Sequence, residues 1–569
     1  MAAGTNQRLT IGQMVALLRE DRGFLWLSFV YSLAIGVLSL AVPLCVQTLV
    51  NSIANIALFR PVAILGIVLF ILLAASSILI ALQMYLMEIF RRRFFCRVTA
   101  DIVLRTIWGR HDYFDSINRE ELFNRYFEIP NIQKNVPRLL VGGLAAVLNT
   151  VIGFTVVSFY HPMFLAFNAV LIFLLYLVIR GLGPGAVRTM VELSNAKYQF
   201  ACWLEEMARA NIVFKASRYV DVAIEKSEAL TASYVDKHAA HFRYRFVQII
   251  LLLAIYVMAS SSLLVLGGWL VIGGQLTLGQ LVAAELILSG IFYSIAGFGS
   301  YLESYYESAA ALDKLSYFYR IPLEDRGGRL EPPPGPAHIV FDRVRAGTHR
   351  GECLLNVEVP AGAVVMAIAE SSSLQKTIVD LLERHRSPDG GSIRYSGVDL
   401  ADCNRHALRD HIGLIDSLDV VECSVFEYLS LGCPELTQAE ARDTLRLVGL
   451  EGTLDGLPDG FDTQMRPFGY PLSRSETLRL KIAASLLTRP GLLLITEIFD
   501  TVNRADRLRI VSHLSTRRDV TVLYFSNRRD SDAFTDFLYI GSQDHRLFTS
   551  LAELVDYEER RLRGGFAAA

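Results

Sequence analysis

Residues 246–302 read FVQIILLLAIYVMASSSLLVLGGWLVIGGQLTLGQLVAAELILSGIFYSIAGFGSYL. Glu285 is the only Asp, Glu, Lys or Arg in these 57 residues. A helix needs about 20 apolar residues to cross a bilayer. The stretch is therefore long enough for two crossings, and Gly273-Gly274 is a turn signal between them.

Three other stretches, 23–59, 61–87 and 139–179, contain no Asp, Glu, Lys or Arg at all. The first two are long enough for one crossing each, and the third holds two because His161-Pro162 interrupts it. We therefore expect six membrane-spanning helices, at about 24–46, 62–88, 139–160, 163–183, 247–271 and 279–302.

The basic residues predict the orientation of these helices. Segments 91–138 and 180–245 carry ten Lys or Arg each, whereas the three short connections carry only Arg60. Lys and Arg accumulate in loops on the cytoplasmic side. Both long loops and both chain ends are therefore expected there. Ahead of the first span, a helix from Thr10 to Leu18 is expected to lie on the membrane surface, because its apolar residues share one face.

The composition excludes several classes of protein. The chain has 569 residues, 52% of them apolar, a mean hydropathy of +0.36 and a formal net charge of -2. That is too apolar for a disordered chain and gives no basic excess for nucleic acid. The seven cysteines form no CxxC pair, so neither a disulfide nor a metal site is expected.

The composition and the pattern of apolar residues change after residue 322. Residues 323–337 are rich in Gly and Pro, as in a linker. From 338 to 569, short β-rich runs such as Val364–Ala369 and Leu492–Thr496 alternate with helical patterns such as Gln375–Arg384 and Ser473–Thr488. This alternation predicts an α/β domain with a mostly parallel core sheet.

Several segments carry a resemblance that covers nearly the whole chain. They are VLGGWLVIGGQLTLGQLVA at 265–283, VEVPAGAVVMAIA at 357–369 and LSRSETLRLKIAASLLTRPGLLLITE at 472–497. Their order resembles an ABC exporter half-transporter. The resemblance implies an all-α six-helix transmembrane domain over 1–322, the linker over 323–337, and a P-loop-NTPase-like ABC domain over 338–569.

The phosphate loop of this family would fall at Glu370–Thr377. Its pattern, G-x-x-x-x-G-K-[ST], needs glycine because backbone N–H groups must converge on phosphates. Glu370, Ser373 and Gln375 stand at the family's glycine positions, whereas Lys376 and Thr377 remain as implied ligands of phosphate and Mg²⁺.

The remaining motif positions implied by the resemblance are also altered. Glu497 matches the family's general base, and Ser473 matches the signature serine. The other signature positions hold Arg474, Ser475 and Glu476. Thr496 stands where the family has its Mg²⁺-binding Asp, and Asp416 or Ser417 stands where it has the Gln of the Q-loop. Asn527 stands at the position of the switch His, and Thr348 at that of the stacking aromatic residue.

Further candidates lie in the first half of the chain. Glu285 is an acid within a span, which marks a functional candidate, although it could instead reach the outer interface. Tyr301, Tyr305 and Tyr306 are interpreted as an aromatic belt. The family's coupling segments would match 114–119 and 211–218, with Asn211 and Lys215 in the second.

The resemblance implies a subunit of a bacterial exporter in the plasma (inner) membrane, using ATP and Mg²⁺ at the family level. The altered motifs favour a half without hydrolysis of its own, paired with an intact half and working with a membrane fusion partner. A homodimeric receptor, scaffold or conduit that does not use ATP is the alternative, and ATP as a purely structural ligand is a third possibility. The substrate stays open among peptide, protein, lipid and drug-like molecules.

Overall fold

The computed structural model describes residues 18–55, 59–116, 119–325, 327–348, 351–530 and 533–566. The chain divides into two compact units, Met1–Leu323 and Glu324–Ala569. The surface helix expected from Thr10 lies outside the described residues except for Leu18, and 117–118 of the first coupling segment lie outside them as well.

The first unit is helical. Six of its described segments are long and apolar enough to cross a membrane, which confirms the expected number. The helices are α1 Arg22–Leu38, α2 Ala41–Asn55, α3 Phe59–Ile107, α4 His111–Ser116, α5 Arg119–Asn124, α6 Ile129–Arg138, α7 Leu144–Ser158, α8 Pro162–Arg209, α9 Asn211–Phe214, α10 Ser217–Ile272 and α11 Leu278–Tyr319.

The first span differs from expectation, because it is broken into α1 and α2 at Ser39-Leu40. Pro43 in the first turn of α2 lacks a backbone N–H and restricts the residue before it, which favours a helix start here. The third span is irregular too. A π-helical turn at Leu139–Gly143 joins α6 to α7 and begins two residues after Pro137.

The basic segment 180–245 is not a loop for most of its length. α8 continues to Arg209, and α10 begins at Ser217. At 1.5 Å per residue, their 48 and 56 residues span about 72 and 84 Å. Both helices therefore extend far beyond a hydrocarbon core of about 30 Å. Tyr306, expected in an aromatic belt, is instead buried and hydrogen-bonds Gln248.

Gln83 on α3 forms a polar contact with α1 inside the membrane-spanning part. Its Nε2 donates to Ser32 Oγ at 2.7 Å and to the carbonyl and hydroxyl of Ser28 at 3.3 Å. All three residues are buried. Interhelical hydrogen bonds in membranes contribute about 0.6–1.7 kcal/mol.

We expect Gln83→Leu to lower the free energy of unfolding of the first unit by about 1 kcal/mol, because the leucine keeps the volume but loses these bonds. Denaturation of the full chain in mixed micelles measures this. Ser77→Ala on the same helix is the control, since among the described residues the Ser77 hydroxyl bonds to Leu73 O of its own helix. Equal effects of the two changes would contradict the prediction.

The second unit alternates strands and helices, as the sequence predicts. The strands are β1 Ile339–Thr348, β2 Gly351–Val359, β3 Val364–Ala369, β4 Gly390–Tyr395, β5 Val398–Asp399, β6 Ile412–Ile415, β7 Leu492–Ile495, β8 Thr521–Phe525, β9 Asp536–Ile540 and β10 His545–Phe548. The helices are α12 Ser372–Leu382, α13 Arg405–Asp410, α14 Val425–Ser430, α15 Gln438–Leu447, α16 Glu451–Gly456, α17 Arg474–Leu487, α18 Arg504–Thr516 and α19 Leu551–Phe566.

The core sheet has the strand order β10-β9-β3-β8-β7-β6, and β9, β3, β8, β7 and β6 run parallel. Residues Val364–Ile368, Leu492–Ile495 and Thr521–Phe525 are buried, which explains their continuous apolar runs. A second, antiparallel sheet has the order β2-β1-β4-β5. Because β3, β8, β7 and β6 are adjacent, the residues that follow them meet at one edge, where ligands of open α/β sheets bind.

The expected linker is held against the second unit. Glu324 accepts hydrogen bonds from both Nη atoms of Arg409, at 2.8 and 3.0 Å. The N–H groups of Gly328 and Leu330 donate to the carbonyls of Cys403 and Asp402. These contacts come from α13 and the turn before it, which no local composition rule indicates.

Candidate functional site

The site lies at the carboxyl ends of β3, β7 and β8. After β3, Glu370 N donates to Ile540 O at 2.9 Å, and Ser371 caps α12 by accepting from Leu374 N at 3.3 Å. No residue from 370 to 377 has a positive φ. The helix expected from Gln375 therefore begins three residues earlier, at Ser372, because no glycine supplies the left-handed backbone of a wrapping loop.

Glu370 points away from the start of α12. Its Oε2 accepts from the N–H and the hydroxyl of Ser542, both at 2.9 Å, and Arg561 Nη2 lies 3.7 Å from Oε1. The carboxylate thus lies against the turn between β9 and β10. The direct repulsion of a phosphate by this charge is smaller than the sequence position alone suggests.

Glu497 connects the ends of the three strands. One carboxylate oxygen accepts from the Ser372 hydroxyl at 2.7 Å, and the other accepts from Asn527 Nδ2 at 2.9 Å. Ser372 is the first residue of α12, where the positive end of the helix dipole attracts anions. Glu497 therefore places an internal anion near the position at which a phosphate would bind.

Asp500 organises the neighbouring turn and was not found from the sequence. Its carboxylate accepts from the Tyr524 hydroxyl at 2.5 Å, the Ser526 hydroxyl at 2.7 Å and Asn527 N at 2.8 Å. Asp500 thus fixes the backbone at Asn527. No sequence signal identifies this role, because the partners come from another strand. Ser372 was missed for the same reason.

The remaining residues of the candidate nucleotide site are bonded within the chain. The Thr496 hydroxyl donates to Ile415 O at 3.0 Å, and the Thr377 hydroxyl donates to Ser373 O at 2.9 Å. Gln375 is buried in α12, and Lys376 is exposed on it. Each hydroxyl oxygen keeps lone pairs for a cation, but Thr496 is neutral at the position of the family's Mg²⁺-binding Asp, and Mg²⁺ is usually held through carboxylates, so the residues present fit a MgATP site of the implied kind poorly.

Ser417 follows β6 and is held by the signature helix α17. Lys481 Nζ donates to Ser417 O at 2.8 Å and to its hydroxyl at 3.3 Å. Asp416 lies 4.0 Å from the same ammonium. Burial lowers the pKa of Lys481, and Asp416 opposes that shift.

The N-terminus of α17 is closed by its own residues. Ser473 and Glu476 form a capping box, in which Ser473 N donates to Glu476 Oε2 at 2.8 Å. Burial raises the pKa of Glu476, but hydrogen bonds from Ser473 and Thr453 outweigh it, so the pKa lies below its usual range. Arg474 occupies the first position of the helix, where its charge opposes the dipole. The Ser475 hydroxyl is buried without a partner among the described residues.

The other candidates lie elsewhere. Thr348 ends β1 in the antiparallel sheet. Asn211 and Lys215 lie at the two ends of α9, whose Ile212 is 84% exposed. Glu285 is half-buried, seven residues or about 10 Å from the start of α11, and has no hydrogen bond or ion pair within the described part of the chain.

Glu383 closes the far end of α12, and its titration affects the stability of the second unit. Burial raises its pKa to about 8, although Arg409 opposes the shift. Arg409 is shared with Glu324, which lowers its effect on Glu383. The folded protein therefore holds this proton, whereas the unfolded chain releases it near pH 4.5.

The contribution of this bound proton to the free energy of unfolding is fully present below pH 4.5 and is lost as the pH rises to about 8. We expect a loss of up to about 1 kcal/mol per pH unit over this window. Thermal unfolding of the full chain between pH 5 and 8 measures it, and Glu383→Gln should flatten the dependence. An unchanged pH dependence in this variant would show that other groups are responsible.

No model of a known protein family matches the chain. Among curated proteins, it is 23% identical over 507 residues to the alpha-hemolysin translocation ATP-binding protein HlyB of Escherichia coli O157:H7, an alignment that covers 86% of this chain and 70% of HlyB. It is 27% identical over 306 residues to the mitochondrial iron-sulfur clusters transporter ABCB7 of Rattus norvegicus, covering 51% of this chain and 40% of that protein.

A solved structure of a bacterial Atm1-family ABC exporter with ATP bound superimposes with a TM-score of 0.80 at 17% identity, covering 95% of this chain and 97% of that one. Among the described residues, no group of three or more His, Cys, Asp or Glu could hold a metal ion. At this coverage, the match includes both the helical unit with its six apolar spans and the α/β unit. The chain therefore has the fold of an ABC exporter half-transporter.

Proposed function

We propose that this chain is a subunit of a bacterial ABC exporter whose own nucleotide site does not hydrolyse ATP. The observation that carries the proposal is the position of Glu497, which is bonded to Ser372 and Asn527. A general base must accept a proton from a water that faces the γ-phosphate. Here, the carboxylate is directed to the helix start that would receive the phosphate.

The signature helix supports the same proposal. In the family, the start of this helix caps a phosphate held by the partner subunit. The capping box of Ser473 and Glu476 places a carboxylate at that start. A phosphate brought there would be repelled by Glu476, at about 4 kcal/mol for two unit charges 4 Å apart at an effective dielectric constant of 20.

The partner we favour is a different half-transporter with intact motifs. Similarity to HlyB supports export through the plasma (inner) membrane, with a membrane fusion protein as a further partner. The basic segments support cytoplasmic ends and a cytoplasmic α/β unit. The exposed Ile212 of α9 supports docking of Asn211–Lys215 on a nucleotide-binding domain.

A homodimer that works without ATP is the second candidate. It is favoured by the alteration of both the phosphate loop and the signature, since a partner's composite site would then be weakened as well. Its role would be that of a membrane receptor, scaffold or conduit.

ATP turnover by the purified full chain in nanodiscs tests the proposal. We expect no phosphate release above background, and no change on Glu497→Gln. Turnover that falls on Glu497→Gln would overturn the proposal. Affinity purification from the native membrane then separates the two candidates: a second ABC half in the complex supports the first, and a pure dimer of this chain supports the second.

A further inference from the structure

A cluster of charged side chains holds the start of the linker against the second unit. Glu324 is the first residue of that unit, and its buried carboxylate accepts from both Nη atoms of Arg409, at 2.8 and 3.0 Å. Arg405 Nη1 lies 3.7 Å from the same carboxylate. Burial raises the pKa of Glu324, but Arg409 and Arg405 outweigh it and hold the pKa below its usual range. Glu324 is therefore ionised and paired at neutral pH.

Arg409 has little hydrogen-bonding capacity left. A guanidinium carries five N–H groups. Both Nη atoms donate to Glu324, Nη2 also donates to His385 Nδ1 at 2.9 Å, and Nε donates to the main-chain carbonyl of Glu383 at 3.0 Å. Four of the five N–H groups are thus used among the described residues. The Glu383 carboxyl receives none of them, since its Oε2 lies 3.8 Å from Nε.

Glu383 is a competing acceptor that the fold keeps neutral. Its side chain is 7% exposed, and burial raises its pKa to about 8. Arg409 opposes this shift, whereas the negative charges nearby add to it. The charged and titratable groups around Glu383 and Arg409 are Asp380 in α12, Arg384 and His385 after α12, Arg405 in α13, Asp416 after β6 and Glu324 in the linker.

Ionisation of Glu383 creates a demand that only movement can meet. A buried carboxylate is costly unless it is paired and hydrogen-bonded. Arg409 is the cation that acts most strongly on this carboxyl, yet its nearest N–H, on Nε, already donates to the main chain. The guanidinium must therefore turn to reach the new charge. Because it is a rigid planar fork, turning draws its Nη atoms away from Glu324.

We propose that Arg409 is a pH-dependent clamp on the linker: when the Glu383 carboxyl loses its proton, Arg409 turns toward it, gives up its bonds to Glu324 and releases the linker from α13. The clamp is closed at neutral pH and opens as the pH passes about 8. Glu324 directly follows the first unit, so the connection between the two units becomes sensitive to pH. Nucleotide takes no part in this device, which goes beyond the proposed export function.

Hydrogen exchange of the full chain in nanodiscs without nucleotide tests the clamp. The reporters are the N–H groups of Gly328 and Leu330, which donate to the carbonyls of Cys403 and Asp402 beside α13. Their exchange rates at pH 7 and pH 9 are divided by the intrinsic rates at the same pH. The protonated fraction of Glu383 falls about tenfold over this range, so we expect the protection of both groups to fall by up to about tenfold.

Three variants identify the group that opens the clamp. Glu383→Gln keeps the shape of the side chain and stays neutral, so protection should be equal at pH 7 and pH 9. Glu324→Gln removes the charge that holds Arg409, so protection should be low at both. Glu331→Gln is the matched control, because Glu331 is an exposed acid of the same linker, and it should behave like wild type. A loss of protection at pH 9 that persists in Glu383→Gln would overturn the proposal.

Arg409→Lys gives an independent check if Glu383→Gln fails to fold. A lysine cannot bind Glu324 with two parallel N–H groups, so protection at pH 7 should already be as low as in wild type at pH 9. Peptides from β7 and β8 are followed in the same samples and should stay protected while the linker exchanges. Exchange of these strands at the rate of the linker would indicate global unfolding and overturn the proposal, as would equal protection of the wild-type linker at both pH values.

Discussion

Replacing Glu370, Ser373 and Gln375 together with glycine is expected to raise the affinity of this chain for MgATP at least about a hundredfold. A wrapping phosphate loop needs left-handed backbone, which costs a residue with a side chain about 1–2 kcal/mol at each position. Removing that conformational cost at three positions makes the free energy of binding more favourable by about 3–6 kcal/mol. A hundredfold gain in affinity requires about 2.7 kcal/mol. The loss of the Glu370 charge adds to the effect.

The structural readout of this change is the start of α12. In the present sequence, Ser371 caps the helix and the first turn fills the place of the loop. With three glycines, we expect the first turn to open and the helix to begin closer to Lys376. Titration of the full chain with a fluorescent ATP analogue measures affinity, and hydrogen exchange at 371–375 measures the opening.

Adding Lys376→Ala to the triple variant is the control, because the ammonium should then be needed for the phosphates. The gained affinity should fall by at least tenfold. If the natural chain already binds MgATP as tightly as the triple variant, the glycine positions do not limit binding and the prediction is wrong.

Asp500→Ala is expected to lower the free energy of unfolding of the second unit by about 3–5 kcal/mol. The carboxylate accepts three hydrogen bonds, from Tyr524, Ser526 and Asn527 N. Tyr524 is 1% exposed, so its hydroxyl would lose its acceptor in the protein interior. Bonds to a charged group contribute about 1.5–3 kcal/mol each, and an orphaned buried donor costs about 1–3 kcal/mol. The total free energy of unfolding of a domain is only about 5–15 kcal/mol.

Urea denaturation of the full chain, followed by hydrogen exchange in β7 and β8, measures this loss. Asp459→Ala is the matched control, because Asp459 is exposed and has no side-chain cap bond. Combining Asp500→Ala with Tyr524→Phe should cost less than the sum of the two changes, since the phenol is then absent. Additive costs would mean that Asp500 acts through other contacts.

The six spans could be predicted from the sequence alone, because the bilayer needs an apolar length that is a property of composition. The strands that precede the motif segments could also be predicted, because Val364–Ala369 and Leu492–Ile495 are continuous apolar runs, and the structure shows both as buried strands of the core sheet. What the sequence could not show is which partner each altered residue has. Glu370 illustrates this: its position in the phosphate-loop segment predicts a charge beside a phosphate, yet the carboxylate is bonded to Ser542, 172 residues away.

The positions of the helix ends also could not be predicted from the sequence alone. Nothing local predicted that α8 and α10 continue far past the bilayer, since their charged parts look like solvated loops when only hydropathy is considered. The early start of α12 depends on the absence of left-handed residues together with the cap by Ser371. By itself, the sequence determined six apolar spans long enough to cross a membrane and an α/β unit, because these depend on local composition and periodicity. Only the tertiary structure decided that Glu497 lies between Ser372 and Asn527 and that Glu370 lies against Ser542, because hydrogen bonds join residues that are distant in the chain and adjacent only after packing.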